Sequence, residues 1–163
     1  GEEGQGFAIA MDGLDGGRIN IATCSVGTAQ KAIIDATEYT QQRNQFGNSI
    51  ADFQATQFAL ADMLTELVAA RQMVRLAAQK LDIKDGQAGT YCAMAKRFAT
   101  DVGFRICNDA LQLFGGYGYL KEYPMERYVR DTRVHQILEG TNQIMRVIIA
   151  RKMLMAGALE VIQ

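Results

Sequence analysis

Apolar positions recur along this chain at intervals of three and four residues over three long stretches, and nowhere at intervals of two. From about Arg18 to Asn44, Ile21, Cys24, Ala29, Ala32, Ile33 and Ala36 form one stripe near the 3.6-residue period of a helix. That helix would be roughly 40 Å long at about 1.5 Å per residue. A short helical lead-in, Gly4 to Leu14, precedes it. Asp12-Gly13 and Asp15-Gly16-Gly17 are expected to break the two apart, and Gly47 is expected to stop the long helix as its C′ residue. A second helix is predicted from about Ala51-Asp52 to Lys84, with Phe53, Phe58, Leu60, Met63, Leu64, Leu67 and Val74 among its apolar positions. Asp85-Gly86 closes it. A third runs from about Ala88 to Phe114 and ends at Gly115-Gly116-Tyr117-Gly118. Pro124 suits N1 of a shorter fourth helix to about Ile137, and a last helix runs from Asn142 to about Leu159. The pattern predicts an all-α fold, an antiparallel up-and-down bundle of long helices joined by short connections, in a single domain over residues 1–163.

Composition narrows the possible functions. Hydrophobic residues make up 48% and charged residues 21% of the 163, as in a globular domain with one core. The net charge of −1 gives no electrostatic case for nucleic acid or an anionic membrane. No apolar run approaches the ~18 residues of a membrane span. Cys24, Cys92 and Cys107 have no metal-like spacing and sit among apolar neighbours. They read as reduced core thiols, and no metal is expected.

One stretch stands out chemically: Val134-His135-Gln136-Ile137-Leu138-Glu139-Gly140-Thr141-Asn142-Gln143. Glu139 follows an apolar pair and precedes a glycine, and Thr141 or Asn142 can cap the next helix. A carboxylate held between two helices beside apolar side chains is a candidate base, because burial disfavours its charged form and a base poised nearer neutrality takes protons more effectively. The alternative is a solvated loop residue. His135 has no acid or nucleophile tied to it by spacing and reads as structural.

Three ordered stretches then carry a family resemblance: Arg43-Asn44-Gln45-Phe46-Gly47; Gln112-Leu113-Phe114-Gly115-Gly116-Tyr117-Gly118-Tyr119 with Glu122, Arg127 and Asp131; and Leu138-Glu139-Gly140-Thr141-Asn142-Gln143. Together they resemble the C-terminal helical domain of the acyl-CoA dehydrogenases. The run from His135 to Gly140 is most similar to the branched short-chain, isobutyryl-CoA type. The resemblance implies FAD-dependent α,β-dehydrogenation of a short or branched acyl-CoA to the 2-enoyl-CoA, with Glu139 removing the α-proton while the β-hydride passes to flavin N5. It implies electron transfer onward to an electron-transferring flavoprotein, a homodimer or homotetramer, and a bacterial cytoplasmic or mitochondrial matrix location.

By the same resemblance Arg43 would meet the FAD pyrophosphate, where a guanidinium fork fits, with Gln45, Phe46, Phe53 and Gln54 beside it. The backbone of Gln112, Leu113, Phe114, Gly115 and Gly116 would lie along the flavin cofactor of a partner subunit. Thr141 and Gln143 would approach the flavin of their own. Asp15 and Arg18 resemble a CoA-contacting pair; Gly140 and Arg151 would touch substrate. Each has a plainer account. Arg43 suits a helix C-terminal dipole, Gly115-Gly116 a helix end, Thr141 a cap, Asp15 a cap beside a solvated arginine, and Arg151 a solvated helix surface. The family also carries an N-terminal helical domain and a middle β-domain, and the chain opens on Gly1-Glu2-Glu3-Gly4 without Met. The sequence therefore reads as part of a longer enzyme, and these 163 residues alone are expected to bind FAD poorly and not to turn over. A non-catalytic helical oligomerisation module and an acyl-CoA oxidase-type relative are the competing possibilities.

Overall fold

A computed structural model describes residues 1–157, apart from the side chain of Ala156. Five helices carry the fold: α1 (Gly6–Gln42), α2 (Gln54–Asp82), α3 (Ala88–Phe114), α4 (Met125–His135) and α5 (Asn142–Ala156). The first three form the bundle, with α3 packed on α1 and α2, and α4 and α5 close against α3. Small residues set the spacing of the central pair. Ala22, Ala29, Ala32 and Ala36 on α1 and Ala95, Ala99 and Ala110 on α3 are all fully buried. Where Gly103 crosses Ser25, a methyl group on the glycine would lie 3.0 Å from the serine Cβ and 3.1 Å from its carbonyl oxygen. Met63, Leu67, Ala70, Val74 and Ala77 of α2 fill the other side of α3. The i, i+3, i+4, i+7 spacing of these positions is what drives the helices together, since each stripe must be covered.

The bundle of long helices agrees with the periodicity, and α3 has the predicted bounds. Several local expectations are corrected. The glycines at 13, 16 and 17 do not separate a lead-in from the first long helix; α1 runs unbroken from Gly6 to Gln42. Asp15 bonds to Arg18 one turn on instead of starting a turn, and the bare Cα of Gly17 admits a side chain from another element. Nor does Gly47 end α1. The helix stops at Gln42, with Arg43 extended at φ −79° and ψ 122°, and a short antiparallel hairpin follows: β1 (Asn44–Gln45) with β2 (Asn48–Ser49). Its two-residue loop has positive φ at both Phe46 (53°) and Gly47 (83°), as the favoured hairpin turns require. The second helix begins with a 3-10 turn, Ile50–Asp52, before α2 proper. Pro124 is the N-cap of α4 and not N1, and α4 ends at His135. The predicted end of the last helix near Leu159 lies outside the described residues. Among the thiols, Cys92 and Cys107 are buried, but Cys24 faces outward from α1 and is exposed.

Candidate functional site

The predicted residues fall into two groups at opposite ends of α1. The first surrounds the turn between α4 and α5. Glu139 sits there in left-handed backbone (φ 54°), followed by Gly140 (φ 91°). A left-handed non-glycine residue costs of order 1 kcal/mol or more and persists only where its surroundings fix it. Those surroundings are explicit. The Asn142 backbone N–H donates to the Gln136 carbonyl at 3.0 Å and closes the turn. Thr141 is the N-cap of α5, its hydroxyl accepting from the Ile144 N–H at 3.4 Å. Beneath the turn, Lys96 from mid-α3 has no exposed surface. Its ammonium donates to the Gly140 carbonyl and to Asn142 Oδ1, both at 2.8 Å. The Asn142 amide in turn donates to Asp101 Oδ1 (2.7 Å) and Thr100 Oγ1 (2.9 Å). Asp101 also accepts from Gln136 (2.8 Å) and Arg146 (3.3 Å). Burial lowers the Lys96 pKa to about 8, with Asp101 and Glu139 opposing the shift and Arg18 adding to it.

The Glu139 side chain is half-buried and lies against α1. A methyl group on Gly17 would stand 2.7 Å from its carboxyl carbon and closer still to Oε2. One residue on, Arg18 is buried at 8% exposure and paired with Asp15 at 2.5 Å; its Nε has no hydrogen-bond partner among the described residues. Asp15 and Arg18 are therefore neither a cap nor a solvated arginine, but a paired, largely buried unit flanking Gly17, the residue that Glu139 approaches. His135, at the end of α4, bonds through Nδ1 to the buried Ser25 hydroxyl at 2.8 Å. Burial lowers its pKa, Asp131 opposes this and Lys96 adds to it. Gln143 and Arg151 lie exposed along α5.

The second group lies beyond the other end of α1. A cleft of about 420 Å³ is lined by Arg43 and Gln45 from the α1–hairpin junction and by Gln112, Leu113, Phe114, Gly115 and Gly116 from the end of α3. Gly115 has φ 58° and ψ −138°, a backbone conformation essentially confined to glycine. A 3-10 turn, Gly115–Tyr119, follows. Tyr39 stacks on Phe114 with ring centroids 4.1 Å apart, and Tyr117 lies under the Arg43 guanidinium at 5.6 Å. Arg43 is exposed and makes no ion pair among the described residues. An exposed guanidinium lining the same cleft as glycines whose backbone is open fits an extended anionic group such as a pyrophosphate. Phe46, 92% exposed, packs edge-on to Phe53 at 6.4 Å. Phe53 and Gln54, the N-cap and first residue of α2, sit with Phe46 outside the cleft lining.

Gly17 and Arg43 are 26 positions apart on α1, about 40 Å at 1.5 Å per residue. One chain therefore holds the Glu139 carboxylate toward one end of α1 and the Arg43 cleft at the other, too far apart to serve one small molecule together. Sequence reasoning missed Lys96 and Gly17. Lys96 had a visible signal, since it falls on the otherwise apolar stripe of Cys92, Ala99, Gly103 and Ile106.

A buried-lysine turn carrying a carboxylate, on a helical bundle whose far end holds an arginine–glycine cradle, places this chain among known proteins. It belongs to the acyl-CoA dehydrogenase family: the family's C-terminal domain matches residues 4–154. It is 56% identical over 153 residues to the mitochondrial isobutyryl-CoA dehydrogenase of Dictyostelium discoideum, covering 94% of this chain and 37% of that protein. It superposes with a TM-score of 0.92 on the butyryl-CoA dehydrogenase of Megasphaera elsdenii, at 46% identity over 94% of this chain and 40% of that one. A chain from a structure describing the electron transferring flavoprotein of Acidaminococcus fermentans gives a TM-score of 0.93 at 48% identity, over 95% of this chain and 40% of its own. The chain thus spans about two fifths of the length of these relatives.

Proposed function

We propose that this chain is the base-bearing helical domain of an FAD-dependent dehydrogenase that converts a short or branched acyl-CoA to its 2-enoyl-CoA. The observation that carries the proposal is the Glu139 turn: a carboxylate in a fixed left-handed backbone, half-buried against Gly17. FAD, when bound, would supply a two-electron acceptor for the β-hydride. The residues of this chain do the rest. Glu139 takes the α-proton from C2 of the thioester, and the electron pair left on C2 becomes the new C2–C3 bond as the hydride departs. Backbone N–H groups of the turn are suited to stabilise charge that develops on the thioester oxygen, Gly140 contributing to that wall. Asp15, Arg18 and Arg151 are assigned to the CoA side. Thr141 and Gln143 are assigned to the flavin of the same subunit.

Arg43, Gln45, Phe46, Phe53, Gln54 and Gln112–Gly116 are assigned to the cofactor of a partner subunit. The separation of about 40 Å along α1 supports that assignment, because a complete site then needs at least a homodimer. A homotetramer of two such pairs is the larger assembly proposed. Electrons leave to an electron-transferring flavoprotein, a partner suggested by the Acidaminococcus relative. The Dictyostelium and bovine relatives support isobutyryl-CoA as the first substrate to try, and a matrix or bacterial cytoplasmic setting. The test is Glu139→Gln in the complete, flavin-loaded enzyme. Exchange of the C2 proton of bound acyl-CoA with solvent should be abolished while FAD content and assembly stay unchanged. Exchange at the wild-type rate sinks the assignment.

A further inference from the structure

Among the described residues, Lys96 is the largest fully buried side chain. Enclosing an ammonium costs several kcal/mol unless its hydrogen bonds compensate. A methionine of similar reach would fill the same space without that cost. Both hydrogen bonds recorded for the ammonium go to the α4–α5 turn: the Gly140 carbonyl and Asn142 Oδ1. Neither goes to the bundle core. The Gly140 carbonyl belongs to the residue immediately after Glu139, and Asn142 is the residue whose N–H closes the turn on Gln136. The charge therefore grips the chain at two points just after Glu139, the second of them the residue that closes the loop containing it. Two consecutive left-handed residues would otherwise relax toward ordinary backbone, and relaxation at φ of residue 139 would swing its carboxylate.

We propose that Lys96 is the positioning residue of the base: by holding the Gly140 carbonyl and the Asn142 side chain, it fixes the left-handed Glu139 and so the direction in which the carboxylate points. The Asn142–Asp101–Arg146 chain anchors the same turn from the side. Lys96 touches no reacting atom; it acts through Glu139, and the proposal rests on Glu139 being the base.

The experiment uses the complete enzyme loaded with FAD, with Lys96→Met, Lys96→Gln and Glu139→Gln prepared in parallel. Three quantities are read: C2-proton exchange per bound flavin, acyl-CoA Kd from the flavin spectrum, and flavin content. Lys96→Met should lower exchange roughly 100-fold, the loss that a misplacement of about 1 Å produces, with Kd and flavin content within about twofold of wild type. Loss of flavin content with exchange per flavin unchanged would mean a merely structural lysine and overturns the proposal. Should Lys96→Met fail to assemble, Lys96→Gln decides by the same criteria, since its amide retains a donor and the space is nearly filled. Glu139→Gln separates the two claims. If it keeps exchange, the base itself is misassigned; if it abolishes exchange while both Lys96 variants keep it, only the positioning role falls.

Discussion

Replacing Gly17 by alanine should separate activity from stability in opposite directions. The new methyl would lie 2.7 Å from the Glu139 carboxyl carbon, against the 3.4 Å or more of ordinary contact. Gly17 lies within α1 in ordinary helical backbone, so nothing in the main chain resists the substitution. The carboxylate is the far end of a flexible side chain and yields first, moving by somewhat less than 1 Å along the line of collision and further if it changes rotamer. A displacement on the order of 1 Å at a reacting group costs about 100-fold in rate, or about 2.7 kcal/mol of barrier. Alanine meanwhile gains about 0.8–1.0 kcal/mol over glycine inside a helix, enough to raise Tm by a few degrees in a domain of this size. The assay pairs C2-proton exchange in D2O, followed by NMR in the complete enzyme, with a thermal melt of the same sample. Gly16→Ala, whose methyl would meet nothing within 4 Å, is the control and should keep wild-type exchange. Exchange by Gly17→Ala within threefold of wild type would refute the reasoning by showing that the carboxylate is not held where the structure puts it; a fall in Tm would refute it by showing that the carboxylate does not yield to the new methyl.

The thiols give a second check. Burial pushes Cys92 up to about 11 and Cys107 up to about 12, whereas Cys24 is exposed. Because the thiolate is the reactive form, the isolated chain at pH 8 should react with Ellman's reagent at a single thiol, and at three after denaturation. The sole histidine gives a third. His135 is held below its ordinary value of 6.5 by burial, so below pH 6.5 the unfolded chain binds its proton first. Folding stability then falls as pH drops through 6.5 toward the folded-state pKa. NMR titration of the His135 ring should give a midpoint below 6.5, and His135→Gln should flatten the acid limb of the stability curve.

Much of this molecule was legible as periodicity. The bounds of α3 follow from an apolar stripe, interrupted at Lys96, between two glycine signals, and long-range packing only reinforces them. The glycines of α1 were misleading because local breaker strength says nothing of what lies across from them. Gly17 lies within the helix, and its bare Cα leaves room for Glu139, 122 positions away in sequence. The hairpin at Asn44–Ser49 escaped notice because two-residue strands are too short to show a period. Arg43 and the Gln112–Gly116 run were found by resemblance, and their meeting in one cleft rests on α3 running parallel to α1, so that the two helices end side by side. The left-handed backbone of Glu139 has no sequence mark beyond the glycine after it. It is fixed by Lys96 and Asn142, contacts that exist only once the bundle has closed.

Because one uninterrupted helix runs from the residue that Glu139 approaches to the position just before Arg43, α1 acts as a ruler as well as a strut. Inserting one residue between Gly17 and Arg43 would advance the cradle by about 1.5 Å and turn it about 100° around the helix axis. The Ala22–Ala36 stripe would rotate out of register with α3 in the same stroke. Neither half of the site can drift in length independently of the bundle core. The exposed stretch Ile83–Lys84 and Gly86 between α2 and α3 has no such coupling, and variation in chain length should collect there, leaving α1 at a fixed number of residues.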